Sequence, residues 1–373
     1  MLQEIFTYPF LMRIFNSLLN NKDKLNLICN KYILSQRHKL KFNEIHYLSS
    51  KDIDKWYFNC LTNIHTGNIF EFPTSTARLT VRNFSKEPIQ LTIPDSVVNL
   101  KLKGSFNQSI ENLIPHSVTY LTFGENFNQS IQRWIPNSVV KLKFGGNFNK
   151  PIYGCIPNSV EKLIFGHFFN QSIENCLPNS LKYLKFGVYF NKQLFGFIPN
   201  SITHLILGNS FKENEISNSI THLTFPENFN KELKNLIPKN LISLAFGFYF
   251  NQPILNHLPK SLIYLKFGVH FNQEINNCIP KNVTHLIFGN CFNQNIEGHL
   301  PSNLKFLSLN HAFRHSLNNL PDSIVTLVLH CKIVKLDKLP KSLKYLIIQK
   351  KFIDRFYNFN LNKIKITYHP YSD

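Results

Sequence analysis

Apolar residues recur along most of this chain at a spacing too long for one helix or one strand. The stretch from Pro115 to Pro136, PHSVTYLTFGENFNQSIQRWIP, shows the pattern. Counted from the proline as position 0, apolar side chains fall at +3, +6, +8, +12, +16 and +20, and the next proline follows at +21. Prolines stand at 94, 115, 136, 157, 178 and 199, and again at 238, 259, 280 and 301, with the same 21-residue step within each run. A fixed period of roughly 20 to 50 residues marks a solenoid or propeller, in which each unit buries its apolar face only against its neighbours. Positions +6 and +8, as in Leu121-x-Phe123, alternate with period two and predict a short strand, with +4, +5 and +7 turned outward. Gly at +9 ends the strand, a turn brings in Phe at +12, and the proline takes a site that needs no ladder N–H. The expected fold is a repeat solenoid of about 14 coils, each giving one short strand to a single parallel β-sheet. A parallel β-helix of the same period is the alternative.

The ends and breaks of the pattern set the expected organisation. Residues 1–45 lack the repeat and carry apolar residues at helical spacing: Leu11, Ile14, Phe15 and Leu18, then Leu25, Ile28, Cys29, Tyr32 and Ile33 behind a capping Asp23. They predict a small α-helical module of two helices. Residues 46–72 hold Tyr47, Trp56, Tyr57, Ile64, Ile69 and Phe72, enough apolar surface for a packed bridge and cap. The array is expected over 73–350, with a short coil at 199–217 where FKENEIS lacks the +16 Ile and the next proline, a predicted kink. Residues 351–373 close the chain as a last strand and polar cap.

Asn follows the +12 Phe in register at Asn107, Asn128, Asn149, Asn170 and Asn191, and again at Asn230, Asn251, Asn272 and Asn293. A chain that bends inward leaves backbone polar groups in need of partners, and a stacked Asn can serve them coil after coil. These nine are read as a structural ladder. The outward strand positions give a different set, rich in rings and cations: Tyr120, Lys141, Lys143, Tyr183, Lys185, His204, His222, Tyr264, Lys266 and His285, with Lys101, Lys162, Phe306 and Tyr345 beside them. Interleaved aromatic and basic side chains on one extended face predict a recognition surface for a protein target, an acidic one by charge.

Composition changes this picture little. The formal net charge is +19, which fits an acidic protein, an anionic surface or nucleic acid as partner, although an Asn-, Lys-, Ile- and Phe-rich chain also carries charge through codon composition. Seven cysteines form no CxxC pair, which argues against a disulfide framework. No stretch reaches the roughly 18 apolar residues a membrane helix needs, and Glu4 and Arg13 interrupt the N-terminal apolar run, so no signal peptide or membrane association is expected. His204 and His222 fall on adjacent coils with no further ligand at the outward strand positions, so no metal is expected. With no paired acids, G-x-S-x-G, P-loop or dinucleotide fingerprint, neither catalysis nor a cofactor is expected.

Two resemblances add to this reading. The Phe-Asn…Ile-Pro signature over roughly 73–350 resembles the FNIP repeat family, relatives of leucine-rich repeats found in amoebae and amoeba-infecting giant viruses. The run PFLMRIFNSLLNNKDKLNLICNKYILS resembles an F-box through Ile14, Phe15, Leu18, Leu25, Cys29 and Tyr32. The second resemblance implies docking on the Skp-type adaptor of a cullin ubiquitin ligase. Together they imply a substrate-recruiting adaptor in the cytoplasm, the host's if the chain is viral, with the sheet face holding the target. A scaffold without ubiquitin chemistry and a nucleic-acid binder are the competing expectations.

Overall fold

A computed structural model describes residues 25–27, 44–48, 70–71, 77–83, 88, 91–194, 196–209, 216–332, 335–356 and 358–368. They fall in two units, Met1–Leu181 and Lys182–Asp373. The first holds β1 (Leu25–Leu27), β2 (Glu44–Leu48), β3 (Phe70–Glu71), β4 (Arg78–Asn83), β5 (Leu91–Thr92), β6 (Asn99–Gly104), β7 (Tyr120–Phe123), β8 (Lys141–Lys143) and β9 (Lys162–Ile164). Strands β1, β2, β4, β6, β7, β8 and β9 form one parallel ladder in that order, while β3 and β5 pair separately. The second holds β10 (Tyr183–Lys185), β11 (His204–Ile206), β12 (His222–Thr224), β13 (Ser243–Ala245), β14 (Tyr264–Lys266), β15 (His285–Ile287), β16 (Phe306–Leu309), β17 (Thr326–Leu329), β18 (Tyr345–Ile348) and β19 (Lys365–Tyr368), each parallel to the next. Apart from the short β3–β5 pair, each described coil gives one strand to the long parallel ladder of its unit and returns through turns, so the fold is a leucine-rich-repeat-like solenoid.

The core follows the expected positions. In the coil from Pro115, Val118, Leu121, Phe123, Phe127, Ile131 and Ile135 are all buried. In coils with phenylalanine at both +8 and +12 the two rings stack on each other, and rows of these rings stack from coil to coil. Phe144 lies 3.9 Å from Phe148, ring centre to ring centre, and Phe148 lies 6.1 Å from Phe127 and 6.0 Å from Phe169. The second unit builds the same spine, with Phe267 and Phe271 3.8 Å apart. Near-parallel offset rings of this kind add to the hydrophobic term that burial supplies.

Polar residues of the repeat clamp one coil to the next. The N–H of Asn149 donates to Oδ1 of Asn128 at 2.9 Å, and Asn170 N–H to Oδ1 of Asn149 at 2.9 Å. The ladder continues through Asn251, Asn272 and Asn293 in the second unit and ends on Arg314, whose N–H takes the last Oδ1. Two further rows join it. Gln at +14 donates Nε2 to both oxygens of the preceding Asn, as Gln171 does to Asn149. Ser at +2 donates to a carbonyl of the preceding coil, as Ser138 does to Val118.

Two backbone positions explain most of the described glycines. At +9 the coils approach so closely that a Cβ on Gly145 would sit 1.9 Å from the Gly124 carbonyl oxygen. At +18 the backbone turns left-handed, which only Gly and Asn accept readily, and the residues there include Asn175, Asn235, Asn256, Asn277 and Gly298.

The N-terminal region departs from expectation. Leu25–Leu27 and Glu44–Leu48 are strands, so the second expected helix does not form at Leu25, and β2 crosses the expected boundary at 45–46. The alternation Leu25-x-Leu27 pairs with Ile45-x-Tyr47, which pairs with Leu79-x-Val81. These segments thus extend the parallel ladder in register, and strand pairing outweighs a helical spacing that the same apolar residues also satisfy. Ile14, Phe15, Leu18, Cys29 and Tyr32, with the first expected helix, lie outside the described residues. So do residues 210–215 of the short coil. Strands β11 and β12 nevertheless pair without slippage across that coil, His204 opposite His222.

Candidate interaction face

Because +6 and +8 point into the core, +5 and +7 must stand on the opposite face of each strand. Burial confirms this: in β7 Tyr120 is exposed, Leu121 buried and Thr122 half-buried. Parallel pairing in register then lines like positions up across the sheet, and every expected face residue lies on one of these two rows.

In the first unit the rows are basic. Tyr120, Lys141 and Lys162 are successive partners on the +5 row, and Lys101, Thr122 and Lys143 on the +7 row. Lys141 Nζ sits 4.5 Å from the centre of the Tyr120 ring and 3.4 Å from its hydroxyl. A cation over a tyrosine face is an attractive contact of about 0.5–1 kcal/mol at an exposed site.

In the second unit the +5 row is a ladder of rings. Tyr183, His204 and His222 are consecutive partners, followed after Ser243 by Tyr264, His285 and Phe306. His204 and His222 stack with centroids 3.9 Å apart and planes 9° apart. Parallel imidazoles send their in-plane lone pairs in the same direction, not toward a common point, which suits stacking better than shared coordination of a metal. Burial, and then the charge of His204, push the pKa of His222 below the usual histidine range. Burial pushes the Tyr183 and Tyr264 hydroxyls up. Lys185 and Lys266 stand exposed on the +7 row beside those two tyrosines.

Sequence reasoning missed the residues that hold these rings. Thr203, Thr221 and Thr284 each place Oγ1 2.9 Å from Nδ1 of the following histidine. Each of these hydroxyls also donates to a carbonyl of the preceding coil, Thr221 to Thr203 at 3.3 Å. A hydroxyl so engaged accepts from Nδ1–H, which makes Nε2 the acceptor nitrogen of the imidazole. The repeated Thr-His-Leu tripeptide was the available signal. Also missed were the aromatic residues on the turn after the strand, at +10 and +11. Phe248 and Tyr249 lie 4.8 Å apart, with His270 stacked on Tyr249 at 5.2 Å. Ile242 and Ile263, exposed at +4 immediately before β13 and β14, add an aliphatic strip at the margin of the face.

The described cysteines Cys155, Cys176, Cys278, Cys291 and Cys331 are free thiols. Among the described residues no three His, Cys, Asp or Glu side chains are grouped to hold a metal. No helix among them is long and apolar enough to cross a membrane.

Comparison with known proteins fits this architecture. The FNIP Repeat family model matches seven times, at 84–126, 106–133, 127–168, 169–210, 209–249, 250–291 and 292–332, well over half of the chain. A solved structure described as a novel circular leucine-rich-repeat protein, CroV588, is 40% identical with a TM-score of 0.60, covering 74% of this chain. This chain spans about half of that one, 47%. A leucine-rich-repeat protein from Bacteroides ovatus is 16% identical with a TM-score of 0.22, covering 94% of this chain and 92% of its own. No curated protein matches.

Proposed function

Because this chain belongs to the FNIP repeat family, and the family's signature residues are those that build the core and the coil-to-coil clamps, we propose that it is a non-enzymatic scaffold whose sheet face holds a protein target. One observation carries the reading. In the described coils the outward strand positions, +5 and +7, present tyrosine, histidine and lysine side chains in registered rows on the sheet. Tyrosine supplies contact area at low entropic cost, and a rigid support spares a complex the cost of ordering the surface on binding.

The test is a comparison of purifications from cells. Full-length protein, a face variant (Lys185→Glu, Tyr264→Ala, Lys266→Glu) and a return-edge variant (Tyr153→Ser, Leu255→Ser) are isolated and their partners quantified. Tyr153 and Leu255 are exposed, at 75% and 52%, so their loss costs little stability. A partner lost from the face variant and kept by the edge variant supports the proposal, and identical partner sets refute it.

The ubiquitin-ligase adaptor is the narrower version of this function. Pairing of Leu25–Leu27 into the sheet favours the plain scaffold, because an F-box would hold that segment as helix. A Skp-type adaptor that co-purifies with the full chain and is lost on Ile14→Asp with Phe15→Asp would restore the narrower version.

A further inference from the structure

The outward rows of the second unit carry a period longer than one coil. On the +5 row, Tyr183, His204, His222 and Ser243 are followed by Tyr264, His285, Phe306 and Thr326. On the +7 row, Lys185, Ile206, Thr224 and Ala245 are followed by Lys266, Ile287, Ser308 and Val328. Each position is matched by chemical type four strands later, except that Phe306 stands where His222 does. Ser308 and Val328 are buried where Thr224 and Ala245 are half-buried. The match in exposed side chains is therefore carried by Tyr183, His204, Lys185 and Ile206 against Tyr264, His285, Lys266 and Ile287.

The geometry repeats with the sequence. Tyr183 and His204 have ring centres 6.0 Å apart and planes at 29°, and Tyr264 and His285 have 6.3 Å and 31°. Both histidines are held at Nδ1 by the preceding threonine at 2.9 Å. Both tyrosines have Lys two residues on, and burial pushes both hydroxyls up. A structural role does not explain this four-coil period, because the core and the Asn ladder repeat every coil.

We propose that the sheet face of the second unit is two equivalent docking modules, one on β10–β13 and one on β14–β17, that together hold a single extended acidic peptide running across the strands. The proposal rests on the reading of this face as the binding surface and names its ligand. Charge fixes the acidic character. The +5 and +7 rows of β10–β19 carry Lys185, Lys266 and Lys365, with Lys182, Lys305 and Lys344 immediately before their strands at +4, and none of these positions holds Asp or Glu. Spacing fixes the ligand's own repeat. Four strands at about 4.8 Å separate the modules by about 19 Å, which an extended chain covers in about six residues at roughly 3.3 Å each. The aliphatic strip of Ile242 and Ile263 favours a peptide with apolar residues between its acids over a uniformly charged nucleic acid.

Titration calorimetry on the full chain tests this with three probes. They are a six-residue peptide, Gly-Glu-Glu-Leu-Glu-Gly, the same sequence in tandem as a twelve-mer, and a twelve-nucleotide oligothymidine. The expected result is two short peptides per chain, but one tandem peptide per chain binding at least about tenfold more tightly, as linked sites require. Tyr183→Ala with Lys185→Ala, or Tyr264→Ala with Lys266→Ala, should each leave one short-peptide site and remove the tandem advantage. Unchanged thermal melting of the two variants confirms that they fold. One short-peptide site in the wild type, or a tandem peptide no tighter than the short one, overturns the duplication while leaving the face as a binding surface. Binding that survives both pairs of substitutions removes the face itself. Absence of peptide binding, or tighter binding of the oligothymidine, overturns the acidic peptide as ligand.

Discussion

Asn149→Ala removes one rung of the ladder, and the structure sets the cost. Oδ1 of Asn149 accepts from the N–H of Asn170 at 2.9 Å and from Nε2 of Gln171 at 2.9 Å. Both bonds are lost, while the N–H of residue 149 keeps its partner, Oδ1 of Asn128. A net intramolecular hydrogen bond contributes about 0.5–1.5 kcal/mol, and an orphaned buried donor costs about 1–3 kcal/mol. Asn149 and Asn170 are half-buried, so water reaches part of the site and the lower end of each range applies. The expected loss is therefore about 1–2 kcal/mol, read from urea unfolding followed by far-UV circular dichroism. Asn149→Asp separates the acceptor from the rest of the amide, because a carboxylate oxygen can take both bonds. It should cost less than half as much at neutral pH. Equal losses for the two variants would refute the acceptor role, and no loss for Asn149→Ala would refute the ladder.

Three further outcomes follow from the same structure. Phe148→Ala empties a fully buried site between Phe127 and Phe169 and should cost about 3–5 kcal/mol in the same denaturant assay. Gly145→Ala should lower the melting temperature far more than Gly154→Ala. At 145 the added carbon meets a carbonyl oxygen at 1.9 Å, whereas at 154 it meets open space and bears only the left-handed strain of about 1–2 kcal/mol. His222, whose folded pKa is lowered, binds fewer protons folded than unfolded over the interval between the two values. The stability that it contributes is complete above the unfolded histidine value near 6.5 and is lost as pH falls toward the folded value. The melting temperature should therefore fall between pH 7.5 and 5, and His222→Gln should flatten that fall.

The repeat made most of the core legible, because burial at one coil position is burial at all of them. Val118, Leu121, Phe123, Phe127, Ile131 and Ile135 needed only period and alternation to be placed. The Asn ladder was legible for the same reason, but not its direction: the side chain serves as acceptor to the next coil's N–H. Gln171 and Ser138 were visible as repeated letters, yet their partners lie 20 or more residues away and are paired only by stacking. Asn175 and its equivalents at +18 escaped notice because a left-handed backbone leaves no mark in hydropathy. The departure at Leu25–Leu27 has a physical source. Leu25, Ile28 and Cys29 satisfy a helical stripe while Leu25 and Leu27 satisfy strand alternation, and the neighbouring Ile45-x-Tyr47 strand decides between them. On the face, the residue types were readable, but the four-coil period emerged only when registered pairing placed Tyr183 and Tyr264 in equivalent settings.

The account divides each coil into a side that holds its neighbours and a side that meets a partner. Photo-crosslinking from single sites in the full chain, inside cells, tests that division most directly. Benzoyl-phenylalanine replaces either Tyr264, on the sheet face, or Leu255, exposed on the return edge at 52%. The account predicts a discrete protein adduct from position 264 and none from 255. Adducts from 255 with none from 264 would contradict it.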